Sequence, residues 1–349
     1  MRQRYQTTYL EGLDAEINRL IAKYCVSRNT DLMLEMLVAA WKMDRQYASR
    51  LDMKIAARAL REMRFAFRMF SKFTKYQKAT IFGSARLEEK CPEYQTAMKL
   101  GSLLARSGWM VITGAGSGIM EAGHRGAGSD FSIGLNILLP WEQGVNQVIE
   151  GTDRVMTFKY FFTRKLMFVR SSHAIVFFPG GFGTLDECFE TLTLVQTGKS
   201  PIVPLVMVEC GTSYWKEWLD YVKKQLLNRG LISPDDLSLF KIVPGEKEAF
   251  DIIQRFYHNY HSSRFVQQWL VIRMIREVPE KVIDRWNKDF KDIVSNGRIE
   301  KCDPFPDEQD DIPDESDDQA TKTLPRIKLL FNRRDFGRLR LLIDEINQH

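Results

Sequence analysis

The segment VFFPGGFGTLDE, residues 176–187, joins an apolar strand to a predicted helix through a glycine-rich loop. A helix N-terminus attracts anions because its first N–H groups are unpaired and carry a partial positive charge. Glycines let such a backbone approach a phosphate closely, and here they are Gly180, Gly181 and Gly183. A carboxylate would repel that phosphate, so Glu187 either acts chemically beside the anion or forms a capping box with Thr184. The capping box alone leaves the clustered glycines unexplained.

The segment GAGSGIMEAG, which begins at Gly114, is a second glycine turn between a strand and a helix. It departs from the dinucleotide-binding fingerprint, because Ile119 takes the place of the third glycine and no acid follows the next strand to hold a ribose hydroxyl. NAD is therefore not expected. The turn either brings backbone N–H groups to a phosphate or ribose, or it is a tight connection without a ligand.

The segment YFFTRKLMFVR contains two adjacent cations, Arg164 and Lys165, in an otherwise apolar helical stretch. Long cationic side chains can extend from an apolar surface into solvent. The segment directly precedes the buried strand HAIVFF, so its helix must pack near the glycine loop. An inward-pointing arginine would then need a partner, and Glu187 is an available one.

The elements that must position these residues follow from the pattern over residues 76–262. Apolar strand-like runs alternate there with helical segments; the runs include KATIFGSA, WMVITGAG, FSIGLNIL, HAIVFFPG and PIVPLVMV. This alternation indicates a parallel sheet covered on both faces, so we predict an α/β fold, a doubly wound and Rossmann-like domain. Ligands in such folds bind beyond the carboxyl ends of the strands, where FGSAR, TGAGSG and PGGFGT are all predicted to lie.

Segments of different character flank this domain. Residues 1–75 have a helical pattern, typical of a layer that packs on a core or on a partner subunit. Residues 263–300 are predicted to be helical, with LVIRMIREV as an apolar face. The acidic residues 301–323 are expected to form a mobile linker, and the basic and apolar residues 324–349 are expected to fold back or to join a partner.

The composition narrows the classes of function. A hydrophobic fraction of 44% over 349 residues is ordinary for a soluble globular protein, and no apolar run approaches the roughly 20 residues that span a bilayer. The N-terminal sequence lacks an apolar signal-peptide core. Widely spaced cysteines argue against zinc and disulfide frameworks and favour a reducing cytoplasm. The net charge of +5 is mild but unevenly distributed. A basic helical face can bind nucleic acid, but charge on a helix is usually a solvated surface, so nucleic-acid binding is only a minor alternative.

Three motifs, PGGFGTLDE, FFTRKLMF and GAGSGIMEAGHRGA, resemble in order and spacing the lonely guy family of nucleotide phosphoribohydrolases. The resemblance covers about residues 76–262, and SIGLNILLPWEQGVN and FNRRDFGRL are similar to a longer bacterial branch of the family. Members have often been labelled lysine decarboxylases, but no lysine here stands in a recognisable pyridoxal-phosphate setting. One departure is Ala115, where relatives commonly have a third consecutive glycine.

The resemblance implies hydrolysis of the N-glycosidic bond of a nucleoside 5′-monophosphate, either AMP-like or of cytokinin type, to a free base and ribose 5-phosphate. By motif position, Glu187 would be the catalytic carboxylate and Arg164 would fix the substrate and offset charge. The 5′-phosphate would be held by Gly180, Gly181, Gly183 and Thr184. Other expected substrate-binding residues are Ser84, Arg86, Gly114, Gly116, Met120, Glu121 and Lys165. For Glu121, a role as a first-turn helix acid stays equally open.

We expect neither metal nor cofactor, because His124 and His173 have no ligand-spaced neighbours. The resemblance further implies a homodimer or larger homo-oligomer. Two other classes stay open: a non-catalytic nucleotide sensor or cofactor carrier on the same fold, and a scaffold whose helical ends bind protein or nucleic acid. Fold alone does not choose among them. The presence of both Arg164 and Glu187 favours the enzyme, because a carrier needs the glycines but not that acid.

Overall fold

A computed structural model of the protein describes residues 5–25, 27, 29–139, 144–309 and 321–349. Part of the predicted acidic linker, residues 310–320, therefore lies outside the described residues. The chain divides into an N-terminal unit that ends at Phe67 and a larger unit that begins at Arg68. No helix in the described ranges is both long and apolar enough to cross a membrane.

The N-terminal unit is helical. Its helices are α1 (Glu11–Tyr24), α2 (Thr30–Arg45) and α3 (Arg50–Phe70), the last of which continues into the larger unit. Helix α1 begins after a tight loop in which the Asp14 carboxylate accepts hydrogen bonds from the Thr8 N–H and hydroxyl at 2.8 and 2.6 Å. Such an acid in the first turn also favours the positive end of the helix dipole.

The larger unit contains a seven-stranded parallel sheet. Its strands are β1 (Lys78–Phe82), β2 (Met110–Thr113), β3 (Ser132–Ile137), β4 (Val155–Phe158), β5 (Ala174–Phe177), β6 (Leu205–Val208) and β7 (Phe240–Val243). Its helices are α4 (Pro92–Arg106), α5 (Ile119–Ala127), α6 (Phe161–Ser171), α7 (Phe182–Gln196), α8 (Tyr214–Tyr221) and α9 (Glu246–Phe256). The strand order is β4-β3-β2-β1-β5-β6-β7, so the predicted doubly wound α/β fold is confirmed.

The sheet has its topological switch point between β1 and β5. Ile81 of β1 pairs with Val176 of β5, while the other edge of β1 pairs with β2. Strands are added in opposite directions on the two sides of β1, which opens a crevice beyond the carboxyl ends of the central strands. The central strands are largely apolar because helices cover both faces; Ile81, Val111 and Val176 are fully buried.

A second, antiparallel sheet corrects the sequence prediction for residues 263–300. Its strands are β8 (Tyr260–Val266), β9 (Trp269–Met274), β10 (Glu300–Lys301) and β11 (Arg326–Leu329), in the order β10-β11-β9-β8. The predicted helix over LVIRMIREV is wrong, because β8 and β9 form a hairpin turned at Gln267, which has a φ of 53°. A short, mostly apolar run does not distinguish a buried strand from a helix by periodicity, and the β-branched Val271 and Ile272 favour the strand. Helix α10 (Glu280–Asp289) follows the hairpin.

The C-terminal residues fold back onto the same unit, one of the two predicted outcomes. Strand β11 pairs with β9, and α11 (Phe336–Ile346) packs beside the segment that precedes β7. There the Ser238 hydroxyl donates to the Gly337 carbonyl at 2.7 Å. The second sheet also holds a buried charge cluster, in which Glu308 accepts from Arg273 at 3.1 Å and from Arg326 at 3.3 Å.

Candidate active site

A cavity of about 840 Å³ lies beyond the carboxyl ends of β1, β2 and β5. All three predicted glycine clusters contribute to its wall. The predicted site residues that line it are Ser84, Arg86, Gly114, Gly116, Met120, Arg164, Gly180, Gly181, Gly183, Thr184 and Glu187. The structure thus brings together residues that are about 100 positions apart in the chain, as the strand ends of a parallel sheet must.

The loop after β1 joins the two other glycine loops. The Ser84 N–H donates to the Pro179 carbonyl at 3.1 Å, and the Ser84 carbonyl accepts from the Ile119 N–H at 3.0 Å. The Ser117 hydroxyl donates to the Ala85 carbonyl at 2.8 Å. The wall of the cavity is therefore held mainly by backbone hydrogen bonds, which side-chain substitutions leave in place.

The loop after β2 is tightly packed. Gly118 has a φ of 63°, and an added Cβ would lie against the Ser84 carbonyl oxygen and 2.9 Å from the Ala85 Cα. A Cβ on Gly114 would collide with the Arg164 guanidinium and with the Met120 sulfur, at 2.6 Å from the latter. Gly118 is thus required by backbone atoms, whether or not a ligand is present. The atoms that a Cβ on Gly114 would meet are the ends of flexible side chains, which can move aside.

Ala115 adopts the left-handed conformation in this loop, with a φ of 61°, and is fully buried. Its methyl group faces Gly134, where an added Cβ would come within 2.9 Å of it. A non-glycine residue in this region costs about 1–2 kcal/mol, so the surrounding contacts must fix the loop. The loop therefore accommodates alanine at this position with a positive φ.

A buried polar network that the sequence analysis missed supplies those contacts. The Asn146 N–H donates to the Ala115 carbonyl at 2.8 Å, and the Asn146 side-chain amide donates to the Gly116 carbonyl at 3.1 Å. The same amide lies 3.2 Å from His124 Nδ1. Burial lowers the pKa of His124 to about 4, so the ring is neutral near pH 7. Asn146 follows a stretch without periodicity, and no local sequence signal identifies it.

The loop after β5 differs, because its glycines face open space. Among the described residues, no atom lies within 4 Å of a Cβ added to Gly181 or Gly183 apart from the chain neighbours and the backbone of the same helix, and neither glycine has a positive φ. Packing and backbone conformation therefore permit a side chain at both positions. Gly180 is different: an added Cβ would collide with the Thr184 hydroxyl, and its carbonyl accepts from the Tyr214 hydroxyl at 2.7 Å.

The capping-box alternative for Glu187 is wrong. Helix α7 begins at Phe182 with Gly181 as its N-cap, and no side chain caps it. Thr184 therefore lies inside the first turn, and Glu187 lies one turn further along, too far to reach back to the cap. The N–H groups at the start of α7 stay available to a ligand in the cavity.

Glu187 is a buried carboxyl group at the floor of the cavity. Glu187 is only 6% exposed, and its Oε2 has no hydrogen-bond partner among the described residues. Burial raises the pKa of Glu187 to about 7, against the opposing positive charges of Lys165 and Arg164. Such a group exchanges a proton near neutral pH, which suits general acid–base chemistry.

Arg164 lies at the wall of the same cavity, but its described partner is not the one expected. Its Nε donates to the Leu135 carbonyl at 2.7 Å, and its guanidinium lies 5.1 Å from the centre of the Phe168 ring. Among the described contacts, Arg164 and Glu187 form no ion pair, but the positive charge of Arg164 lowers the pKa of Glu187. This arrangement fixes the plane of the guanidinium beside the buried carboxyl group.

Two residues expected at the substrate lie outside the cavity lining. Glu121 forms an ion pair with Arg125 at 2.8 Å, one turn along α5. Lys165 bridges two carboxylates of α7, Asp186 at 2.8 Å and Glu190 at 2.7 Å. The pairing of Lys165 was not expected, because a sequence does not show which faces of two helices meet. In the described part of the chain, no three metal-binding side chains cluster.

Comparison with known proteins finds matches to the central part of the chain. Residues 113–253 match a family model described as possible lysine decarboxylase. A cytokinin riboside 5′-monophosphate phosphoribohydrolase of Arabidopsis thaliana is 26% identical over 217 residues, covering 59% of this chain and 94% of that protein. A probable enzyme of the same name from Oryza sativa subsp. japonica is 24% identical over 207 residues, covering 58% of this chain and 82% of that protein.

Solved structures show similarity over about half of the chain. The molybdenum cofactor binding protein of Rippkaea orientalis is 17% identical with a TM-score of 0.39, covering 52% of this chain and 97% of its own. The molybdenum cofactor carrier protein of Chlamydomonas reinhardtii is 20% identical with a TM-score of 0.38 and the same coverage. The sequence matches confirm, at low identity and over the central part of the chain, the predicted resemblance to the lonely guy family.

Proposed function

We propose that the protein hydrolyses the N-glycosidic bond of a nucleoside 5′-monophosphate, with release of a free base and ribose 5-phosphate. The observation that carries the proposal is the buried Glu187 carboxyl group. It lies in a cavity beside a helix N-terminus whose glycines face open space. A pure phosphate site has no use for a buried acid, whereas glycosidic cleavage requires a carboxylate near the sugar.

The 5′-phosphate would bind at the start of α7. The N–H groups of Gly181, Gly183 and Thr184 are directed there by the helix, and the helix dipole favours an anion. Because a Cβ at Gly181 or Gly183 would occupy empty cavity, a ligand group is the natural occupant of that space. Ser84 and Arg86, on the loop after β1, would contact the same phosphate or the ribose.

The ionised form of Glu187 would stabilise the transition state. As the bond between C1′ and the base nitrogen breaks, its electron pair leaves with the base and C1′ becomes an oxocarbenium-like cation. A carboxylate in a low-dielectric cavity stabilises that cation strongly. Water then adds to C1′ and passes a proton to Glu187, which returns it to solvent or to the departing base.

Arg164 would hold the substrate through its planar guanidinium, a shape that matches phosphate and carboxylate oxygens. Its Nε is already held by the Leu135 carbonyl, so the group is oriented before substrate binds and loses little entropy on binding. Met120 also lines the cavity and would contact the base or ribose. We further propose that the enzyme works as a homo-oligomer, which light scattering after size-exclusion chromatography would test.

A nucleotide sensor or carrier is the competing function. Such a protein would keep the glycines but gain nothing from a buried acid, which opposes folding when ionised. Incubation with AMP, GMP, CMP and isopentenyl-AMP, with separate assays for free base and ribose 5-phosphate, distinguishes the two functions. Binding without release of either product would favour the carrier.

Replacement of the acid tests the mechanism. In Glu187→Gln we expect a loss of about 10²- to 10⁴-fold in kcat, because the amide neither stabilises the cation electrostatically nor accepts a proton. The matched control is Glu248→Gln, an exposed position on α9 outside the cavity lining, for which we expect unchanged turnover. A Glu187→Gln variant as active as the control would remove this residue from the mechanism.

A further inference from the structure

Lys165 occupies a place between two helices that no substrate contact explains. Its side chain is 13% exposed, and its Nζ lies 2.8 Å from Asp186 Oδ2 and 2.7 Å from Glu190 Oε2. Burial opposes the lysine charge, but the nearby carboxylates outweigh it, and the pKa of Lys165 lies above its usual value. A fully charged lysine therefore joins α6 to α7 beside the cavity.

The two carboxylates that Lys165 binds flank Glu187 in sequence. Asp186 and Glu190 are four residues apart and share one face of α7, while Glu187 projects about 100° away from Asp186. Three acids thus lie within about one helical turn. Without a cation among them, their mutual repulsion would favour the protonated form of the most buried one, which is Glu187.

We infer that Lys165 is a positioning residue: by bridging Asp186 and Glu190 it offsets the negative charge beside Glu187, holds α7 against α6, and so keeps the Glu187 carboxylate ionised and in place. The inference rests on the proposed hydrolase function. It replaces direct substrate binding as the expected role of Lys165. The charged or titratable groups near Glu187 are Arg164 and Lys165 on α6, Asp186 and Glu190 on α7, and Arg86 and Tyr214 on the cavity wall.

The pH dependence of kcat/KM tests the inference, because two substitutions are expected to move the acid limb of the profile in opposite directions. Lys165→Met removes the cation at similar volume, so we expect the acid limb of the profile to move to higher pH by roughly one to two units. Each unit corresponds to a tenfold lower rate on that limb. Glu190→Gln removes a like charge and should move the limb to lower pH. Lys165→Arg keeps the charge and should stay near the wild type.

Other results would overturn the inference. A raised KM with an unmoved acid limb in Lys165→Met would make Lys165 a substrate contact. Shifts of the same sign in Lys165→Met and Glu190→Gln would exclude the electrostatic role. If Lys165→Met does not fold, Glu190→Gln and Asp186→Asn provide the test, because the side chains of Glu190 and Asp186 are 33% and 62% exposed and their replacement should not prevent folding. The inference is overturned if the acid limb stays in place or moves to higher pH in both variants.

A measurement without substrate separates this inference from the proposed function. The carboxyl group of Glu187 can be titrated by ¹³C NMR in glutamate-labelled protein and assigned by its absence in Glu187→Gln. We expect its midpoint to rise in Lys165→Met and to fall in Glu190→Gln. If no nucleotide is cleaved but the midpoints move in this way, the proposed hydrolase function fails, whereas the inference that Lys165 offsets the negative charge beside Glu187 is supported. Unmoved midpoints remove the role of Lys165 whatever the activity.

Discussion

The two glycine loops of the cavity look alike in sequence but differ in what surrounds their glycines. In the loop after β2, an added Cβ on Gly118 would collide with backbone atoms, and Gly118 also has a positive φ. In the loop after β5, an added Cβ on Gly181 or Gly183 would meet no atom of the described residues within 4 Å, apart from its chain neighbours and its own helix backbone. Gly118 of the first loop is therefore required by the fold.

The difference shows how a glycine can be assigned to structure or to function. A residue that costs conformational entropy and is not required by backbone or packing must be retained for another reason. At Gly181 and Gly183, that reason is the open space at the start of α7, beside Glu187. The comparison thus predicts that substitutions in the first loop change stability, whereas substitutions in the second change ligand binding.

The largest expected effect is that of Gly118→Ala. The methyl group would enter the Ser84 carbonyl and the Ala85 backbone, and alanine would have to adopt a φ of 63° with a ψ of −130°, a region that non-glycine residues avoid. Backbone strain and overpacking together should cost about 3 kcal/mol or more. Urea unfolding measures the loss. A variant within about 1 kcal/mol of the wild type would show that the loop after β2 adapts freely, and the contrast would fail.

The next effect, that of Gly183→Ala, should appear in binding and not in folding. Alanine favours a helix over glycine by up to about 1 kcal/mol, so the free energy of unfolding should stay level or rise. The methyl group would occupy space proposed for the phosphate, and we expect AMP affinity to fall about tenfold or more, which corresponds to about 1.4 kcal/mol. Calorimetric titration with AMP measures this loss.

Gly12→Ala is a closely matched control for that variant. Gly12 is the second residue of α1 as Gly183 is of α7, and a Cβ there also meets no atom within 4 Å. The control should share any gain in stability but leave AMP affinity unchanged. Equal affinities in both variants would mean that no ligand approaches Gly183.

The sequence predicted the parts of the site that depend on local pattern. Apolar strands alternating with helices specify a parallel sheet, and glycines at strand ends then meet at one edge whatever their separation in the chain. For this reason Ser84, Gly114 and Gly183 could be expected around one cavity, and all three line it. The local argument failed at LVIRMIREV, because a short, mostly apolar run has no clear period that separates a strand from a helix.

Pairings between distant side chains could not be predicted in the same way. The contact of Lys165 with Glu190, and that of Asn146 with Ala115, depend on which faces of two elements meet after packing. The capping motif at Thr184 misled because its spacing fits a helix start, yet the helix begins earlier, at the glycines. Local motifs identify which chemistry is available, and tertiary packing decides which group performs it.

The smallest expected effect, that of Ala115→Gly, tests how firmly the first loop is set. Glycine removes the cost of a left-handed φ, about 1–2 kcal/mol, but it loses a buried methyl group worth about 0.8 kcal/mol and adds about 0.5–1 kcal/mol of chain entropy. These contributions nearly cancel, so we expect a change within about 0.5 kcal/mol in urea unfolding and no change in AMP affinity.

Ala115→Val is the informative contrast, because a branched side chain at a φ of 61° facing Gly134 should be strongly destabilising. If glycine instead stabilised the protein by well over 1 kcal/mol, the strain at Ala115 would be uncompensated. The loop after β2 would then also carry a residue kept at a cost to folding, and the two loops would no longer differ in kind.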